Sequence, residues 1–395
     1  MGVLTYIKDY LGPIWDLLLI GVGAVFNKLY IYIKEFRRRK LVQRRLKQTT
    51  ELEELNILTL SSANPCFEKS AIETKLTDKE LYISFPSELL SKVKENDPGF
   101  EVYTNHSFNG KDDFQDLAQR TEISDLVELI EKHRYIVASH FVTMSEGCKF
   151  NRSKLGVYNF VSRKSSDEHE NPCVKLDLFK TDYFTHRVFR SIYNELKERN
   201  HPISKVKTVD ELRKYNAFTT SLGINAFIFM ESAQGESIIF SRRSVNAAYS
   251  ENYLKYNSSI MEGVSLTDYD RNDNVVSLRL GLEKGLMEEL GVSTAYLTTL
   301  NIRDIEFCDF FLERNYFEIG VTASIEISGV FEETIKDLPA KDKELEVDKL
   351  IAVQRRKKII EEFIKNENVY GQAMYTLKML LARKMIFINL PKKDD

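Results

Sequence analysis

The sequence predicts an α+β fold, layered as mixed sheets with flanking helices, behind an N-terminal helix that spans or associates with a membrane. Three observations carry this. Residues 220–390 read strand, hairpin, loop, helix, strand and terminal helix, the order of a layered α/β or α+β domain. Residues 60–215 also mix strand-like and helical runs, and form an α/β region whose role the sequence does not give. Residues 1–58 open on an apolar stretch and continue as a charged helical stalk.

At 395 residues the chain has room for two domains and an appendage. With 43% hydrophobic and 29% charged residues it is globular rather than disordered. A net charge of -3 gives no general attraction to nucleic acid, and no nucleic-acid partner is expected. Cys66, Cys148, Cys173 and Cys308 form no CxxC pair and no zinc spacing, so they read as reduced thiols.

The N-terminal stretch, residues 11–33, is apolar for the roughly 20 residues a helix needs to cross a bilayer. A dense cationic run, "KEFRRRKLVQRRLK", follows it and predicts a single-pass protein with its later domains in the cytoplasm. Two further readings fit the same residues: an amphipathic helix lying on the membrane or packing into a homo-oligomer, and a core helix of a soluble protein.

Along the chain, residues 34 to about 58 continue as charged helix. "KELYISFP" alternates like a strand, "DFQDLAQRTEISDLVELIEKHR" reads as helix, and "YIVASHFVTM" has the β-branched apolar content of a buried strand. "RKSSDEHENP" is a loop, and "CVKLDLFKTDYFTHRVFRSIYNELKERN" passes from strand to amphipathic helix. "LGINAFIFM" and "ESIIFSRRS" form a hairpin across "ESAQG". A loop, a helix over 277–290 and the long strand "NYFEIGVTASIEISG" follow, and 345–384 reads as largely helical.

The richest stretch is "LRLGLEKGLMEELGV", 278–292. Leu286, Glu288, Glu289, Gly291 and Val292 match, in register, the end of the box G-x5-E-x7-R-E-U-x-E-E-x-G-U, where U is a bulky aliphatic. Upstream, the hairpin ends in Arg242 and Arg243, and Gly263 in "SIMEGVSL" stands where the box would open. In these residues the region from about 222 to 385 resembles the Nudix hydrolase family. The resemblance implies a Nudix-like mixed sheet with flanking helices, Mg²⁺ or Mn²⁺ as cofactor, and a nucleotide or nucleoside-diphosphate-type ligand. It implies catalytic and metal-binding roles for Glu288 and Glu289. The box departs from the family pattern at its Arg-Glu, which is Lys284-Gly285 here, and its opening spacing is seven residues longer.

On a helix, Leu278, Leu282, Leu286 and Leu290 make one apolar stripe, and Gly281, Gly285, Glu288 and Glu289 share the neighbouring face. Glu283 points away from Glu288. Two carboxylates can hold Mg²⁺ if diphosphate oxygens and waters complete its shell, but no evident base for the attacking water remains. The two glycines point to close approach by a ligand or by another backbone. Arg242 and Arg243 are candidates for a phosphate, the alternative being solvated arginines at a strand end. Tyr253, with Tyr249 and Tyr256, is a candidate to stack on a base, or a surface tyrosine. Asp182, His186 and Arg187 form either a polar cluster or a capped helix start. Acidic helix ends of the E-E-L-G kind are also common as solvated faces with a glycine stop.

Two functions follow. The first is a membrane-anchored cytoplasmic protein whose Nudix-like domain binds a nucleoside-diphosphate-type ligand through Mg²⁺, with pyrophosphohydrolase activity as its enzymatic form. The alternative is a non-catalytic nucleotide-sensing membrane effector of a bacterial antiphage defence system, which the missing Arg-Glu favours.

Overall fold

The computed structural model describes residues 28–30, 32–33, 36–37, 55–164, 172–245, 253–270, 275–293, 296, 302–340 and 347–391. The chain divides into two units, Met1–Glu54 and Leu55–Asp395. In the first, the described residues are helical and exposed. Most of the expected membrane segment at 11–33, and most of the expected stalk, lie outside the described residues. Among the described residues no helix is long and apolar enough to cross a membrane.

The second unit opens with strand β1 (Ile57–Ser62), then β2 (Ile72–Glu80), helices α1 (Ser87–Asn96), α2 (Gln115–Thr121) and α3 (Leu126–Thr143), strands β3 (Ser153–Lys164) and β4 (Pro172–Asp182), and helix α4 (Tyr183–Glu198). β4 lies between β2, to which it is parallel, and β3, to which it is antiparallel. Asp182 caps α4 by accepting the Thr185 N–H at 2.8 Å.

The hairpin β5 (Leu222–Ser232) and β6 (Gly235–Arg243) follows, then the short strands β7 (Tyr256–Asn257), β8 (Ile260–Gly263), β9 (Tyr269–Asp270) and β10 (Val275–Val276). Helix α5 is Leu278–Leu290. After it come β11 (Ile302–Glu313), β12 (Glu318–Val330), β13 (Val347–Gln354), α6 (Lys357–Asn366) and α7 (Gly371–Arg383). The large sheet runs β1-β11-β12-β5-β6-β13, with β8 also on β5 and β7 on β6. Only β12 and β5 pair in parallel; the other neighbours are antiparallel.

Strand alternation explains the layers. Ile224, Ala226, Ile228 and Met230 of β5 enter one core with the α5 leucines, while Phe227 and Phe229 enter another with α6 and α7. A strand with both faces covered has to be apolar throughout, which is why "INAFIFM" reads as it does. The first of these cores also takes in Leu155, Phe189 and Phe218, so residues of the expected 60–215 region and of the expected 220–390 domain share it.

Three expected elements differ. "YIVASHFVTM" is not a strand but the second half of α3. His133, Val137, Ala138 and Phe141 are buried at helical spacing while Tyr135 and Ile136 are exposed. The strand expected at "KELYISFP" lies earlier, at β2, and only Tyr82 continues it, as a bridge to His106. Residues 347–354 are an edge strand rather than helix. A bulge between Val347 and Lys349 turns Val347 and Leu350 to one core, and Val353 enters the core on the other face, so buried residues recur every three positions as on a helix.

Helix α5 is set by its own sequence. Ser277 caps it, accepting the Leu280 N–H at 3.2 Å, and Gly291 ends it at φ 74, where a Cβ would stand 2.3 Å from the Pro339 carbonyl oxygen. At Gly285 a Cβ would meet Ile260 Cγ2 at 2.6 Å and Glu262 Cβ at 3.0 Å, so the glycine serves the contact of α5 with β8. At Gly281 the nearest atom is the flexible tip of Ile224, at 3.1 Å. Gly285→Ala therefore lowers stability by about 1–2 kcal/mol, overpacking exceeding the helix-propensity gain of about 1 kcal/mol. Gly281→Ala stays within about 1 kcal/mol of the parent. Urea denaturation of both variants reads the difference; equal effects would remove the close-packing role.

Candidate functional site

A cleft of about 180 Å³ opens where the beginnings of β5, β12 and α7 meet β3 and α4. Three cations from distant parts of the chain line it: Lys154, Arg190 and Arg243. The Lys154 ammonium lies 3.3 Å from where a Cβ would stand on Gly263, so glycine there leaves it room beside β8. The Arg190 guanidinium is 3.6 Å from the centre of the Tyr316 ring and 3.4 Å from Glu318 Oε1. Tyr370 and Gln372, at the start of α7, close one wall. The first turn of that 13-residue helix carries no acidic residue and no side-chain cap, so its positive end favours an anion. Tyr183, Tyr316 and Tyr370 give aromatic surface, and Asn225, Asn257 and Gln372 are buried amides of the lining.

His186 also lines the cleft. Its Nδ1 is 2.9 Å from Thr220 Oγ1 and its Nε2 is 3.4 Å from Glu318 Oε1. Burial pushes the imidazole down to about 4, against the pull of Glu318 in the other direction, so the ring is neutral near pH 7. Burial raises Glu318, but its contacts with His186 and Arg190 outweigh that and hold it at about 2. Asp182 is pushed up to about 6 by burial, with Asn151 and Thr185 opposing. Of the Asp182, His186 and Arg187 group, then, Asp182 caps the helix and His186 faces the cleft.

The residues expected at the site divide. Arg243 and Gly263 line the cleft. Arg242, the next residue on the strand, turns to the other face and donates to Asp348 from Nε at 2.8 Å. Gly285 is packed on Ile260, as above. Tyr253 is exposed and does not line the cleft. Glu289 is 3% exposed, and its Oε1 accepts the Met261 N–H at 3.0 Å. Glu288 is half-buried on the same helix. Neither glutamate reaches the cleft lining, because β8 runs between.

Lys284 stands where the box has arginine. Its Nζ is 3.1 Å from Glu262 Oε1, 3.2 Å from Asp268 Oδ2, 3.1 Å from Ser265 Oγ and 3.2 Å from the Gly263 carbonyl oxygen. Burial lowers its pKa, and the two carboxylates more than reverse this, so the ammonium stays charged. Asp268 in turn accepts the Ser265 N–H at 2.8 Å in a capping box, for which "SLTD" is the local sequence signal. Around α5 the donors do not suit a divalent ion. The box's first glutamate of this run is Gly285, Glu289 accepts a backbone N–H, and Lys284 places a positive charge between Glu262 and Asp268. Among the described residues no three Asp, Glu, His or Cys groups come together as a metal site. Lys154, Arg190, Tyr316 and Tyr370 carry no local motif, and only the fold brings them together.

No family model matches the chain, and no curated protein does. Solved structures similar to part of it include the Nudix domain of Shewanella oneidensis NrtR complexed with ADP-ribose, at 12% identity, covering 41% of this chain and 87% of that one, with a TM-score of 0.25. A C. elegans Ap4A hydrolase binary complex matches at 11% identity over 42% of this chain and 96% of its own, with a TM-score of 0.27. A Nudix-family hydrolase from Clostridium perfringens matches at 9% identity over 42% and 96%, with a TM-score of 0.24.

The His186 shift fixes a pH response. With the folded pKa below the unfolded one, the unfolded chain binds the proton first, so stability falls as pH drops from 6.5 toward 4. Asp182 acts in the opposite sense between 3.8 and 6, so the difference between the parent and His186→Gln isolates the imidazole. Between pH 6.5 and 4 the stability of the parent relative to the variant should fall by on the order of 3 kcal/mol, whatever Asp182 adds to both. Denaturation at stepped pH measures it, and parallel curves would refute a neutral His186.

Proposed function

We propose that the Leu55–Asp395 unit is a Nudix-like module that binds a nucleoside-diphosphate-type ligand in the cleft, without hydrolysing it through the α5 glutamates. The convergence of Lys154, Arg190, Arg243 and the start of α7 on one aromatic-walled cleft carries this reading. Charge-assisted contacts to phosphate oxygens from several directions, beside rings that stack on a base, are the chemistry such a ligand needs. Support for non-catalytic binding comes from the α5 side, where the box's Arg-Glu is Lys284-Gly285, Glu289 accepts the Met261 N–H, and Lys284 is paired with Glu262 and Asp268. The test is calorimetric titration with ADP and with pyrophosphate, with and without Mg²⁺, alongside an assay for released phosphate. Binding that survives removal of Mg²⁺, falls at least ten-fold in Arg190→Met and Lys154→Met, and proceeds without turnover is expected. Mg²⁺-dependent turnover abolished by Glu288→Gln with Glu289→Gln would instead establish the pyrophosphohydrolase. Absence of any binding would end the reading.

For the whole chain we read the apolar stretch 11–33 and the basic run after it as a membrane segment with the binding module on the cytoplasmic side. That pairing is the layout of a nucleotide-sensing membrane effector in a bacterial defence system, in which ligand occupancy drives homo-oligomer formation. The full chain should float with uncharged phosphatidylcholine liposomes, which give the basic run no electrostatic hold, and a chain starting at residue 34 should not. Sedimentation of both together would reject the segment.

A further inference from the structure

We infer that Asn225 and Asn257 form a subsite that selects the ligand's ring by an edge carrying an amine beside a ring nitrogen; this rests on the cleft being the ligand site. Asn225 interrupts an otherwise apolar strand, between Ile224 and Ala226, which are both fully buried. Packing alone gives no reason for an amide there, since both faces of β5 are covered. Asn257 reaches the same cleft from β7, which pairs with the end of β6. Each residue is 2% exposed, and the Oδ1 of each has no hydrogen-bond partner within the protein. A buried acceptor left in that state costs about 1–3 kcal/mol. Asn151 shows what a structural amide looks like in this fold: its Nδ2 donates to Glu101 and Asp182, and its Oδ1 accepts the Phe184 N–H.

A carboxamide offers an acceptor and a donor side by side in one plane. Its complement is a ring edge with an N–H₂ group next to an unprotonated ring nitrogen, as in adenine, which asparagine reads in a bidentate manner. On the same edge a keto ring presents two acceptors, its oxygen and the ring nitrogen, so one of them meets Oδ1 whichever way the amide turns. The cations of the cleft hold the phosphates and are indifferent to the ring, so the amides supply the selectivity. A site built to receive a hydrogen bond rejects the analogue that lacks it more strongly than an apolar pocket could.

The experiment compares ADP with inosine diphosphate, which differs from it by the keto group in place of the amine, and uses pyrophosphate as the ring-free probe. Calorimetry on the parent protein should show ADP bound at least ten-fold more tightly than inosine diphosphate. Asn225→Leu and Asn257→Leu, each checked for an unchanged melting profile, should bring the two nucleotides to equal affinity. Pyrophosphate and both nucleotides bound, with no preference in the parent, overturns the amide subsite and leaves the cleft standing. No binding by any of the three overturns the cleft reading and the subsite with it. Because the first comparison uses the unaltered protein, a variant that fails to fold does not protect the proposal.

Discussion

The backbone N–H of Met261 points away from the strand that β8 pairs with, and Glu289 is the group that receives it, at 3.0 Å. Much of the local architecture hangs on that bond. β8 has a ladder partner on one side only, β5, and without an acceptor on the other it would present a polar edge to the leucine face of α5. Glu289 closes that edge, and Gly285 lets the helix come near enough for it to do so. Once β8 is fixed, Glu262 stands within reach of Lys284, and Gly263 leaves space for Lys154 in the cleft on the far side. One carboxylate thus couples the packing of α5 to the shape of the candidate site.

The same bond shows what the sequence could and could not reveal. Periodicity found α5, and Gly291 marked its stop, because leucines every four residues leave little choice of face. It also placed Glu289 beside that stripe, where a charge requires a partner. Naming the partner was beyond it, since a metal ion and a backbone N–H make the same demand on a carboxylate. The two arginines were separable in principle, as neighbours on a strand face opposite ways, yet which one faces the cleft depends on β13 and Asp348. Where local signals misled, geometry had disguised the period: a bulge and burial on both faces spaced the core residues of β13 like those of a helix, and the β-branched content of "YIVASHFV" hid a helical repeat that burial makes plain. Lys154, Arg190 and Tyr316 were illegible because a cleft made of many separated segments leaves no spacing to read.

Those segments also explain how the cleft tolerates so much charge. Arg190 is 8% exposed, a costly place for a guanidinium, but the Tyr316 ring covers one face and Glu318 meets its edge. Glu318 is shared with His186, whose neutral ring donates Nε2–H while Nδ1 takes the Thr220 hydroxyl. The network is held in place before any ligand arrives. Side chains already ordered lose little entropy on binding, so a ligand phosphate meets fixed cations rather than recruiting mobile ones.

Preorganised cations also set a limit on chemistry. Interactions that grip substrate and transition state equally improve binding and leave the chemical step unchanged. Speeding the hydrolysis of a diphosphate takes, in addition, a base placed on the attacking water and charge aimed at the bond that breaks. The carboxylates nearest the cleft are Glu262 and Glu318, and both are already paired with cations, Lys284 for one and Arg190 for the other. A carboxylate so paired is a weak base, and Glu318, held at about 2, is weaker still. His186 has the basicity of a group near 4 and makes its contacts with Thr220 and Glu318. What the cleft offers in abundance is attraction for an anion; what it lacks among the described residues is a strong base facing that anion.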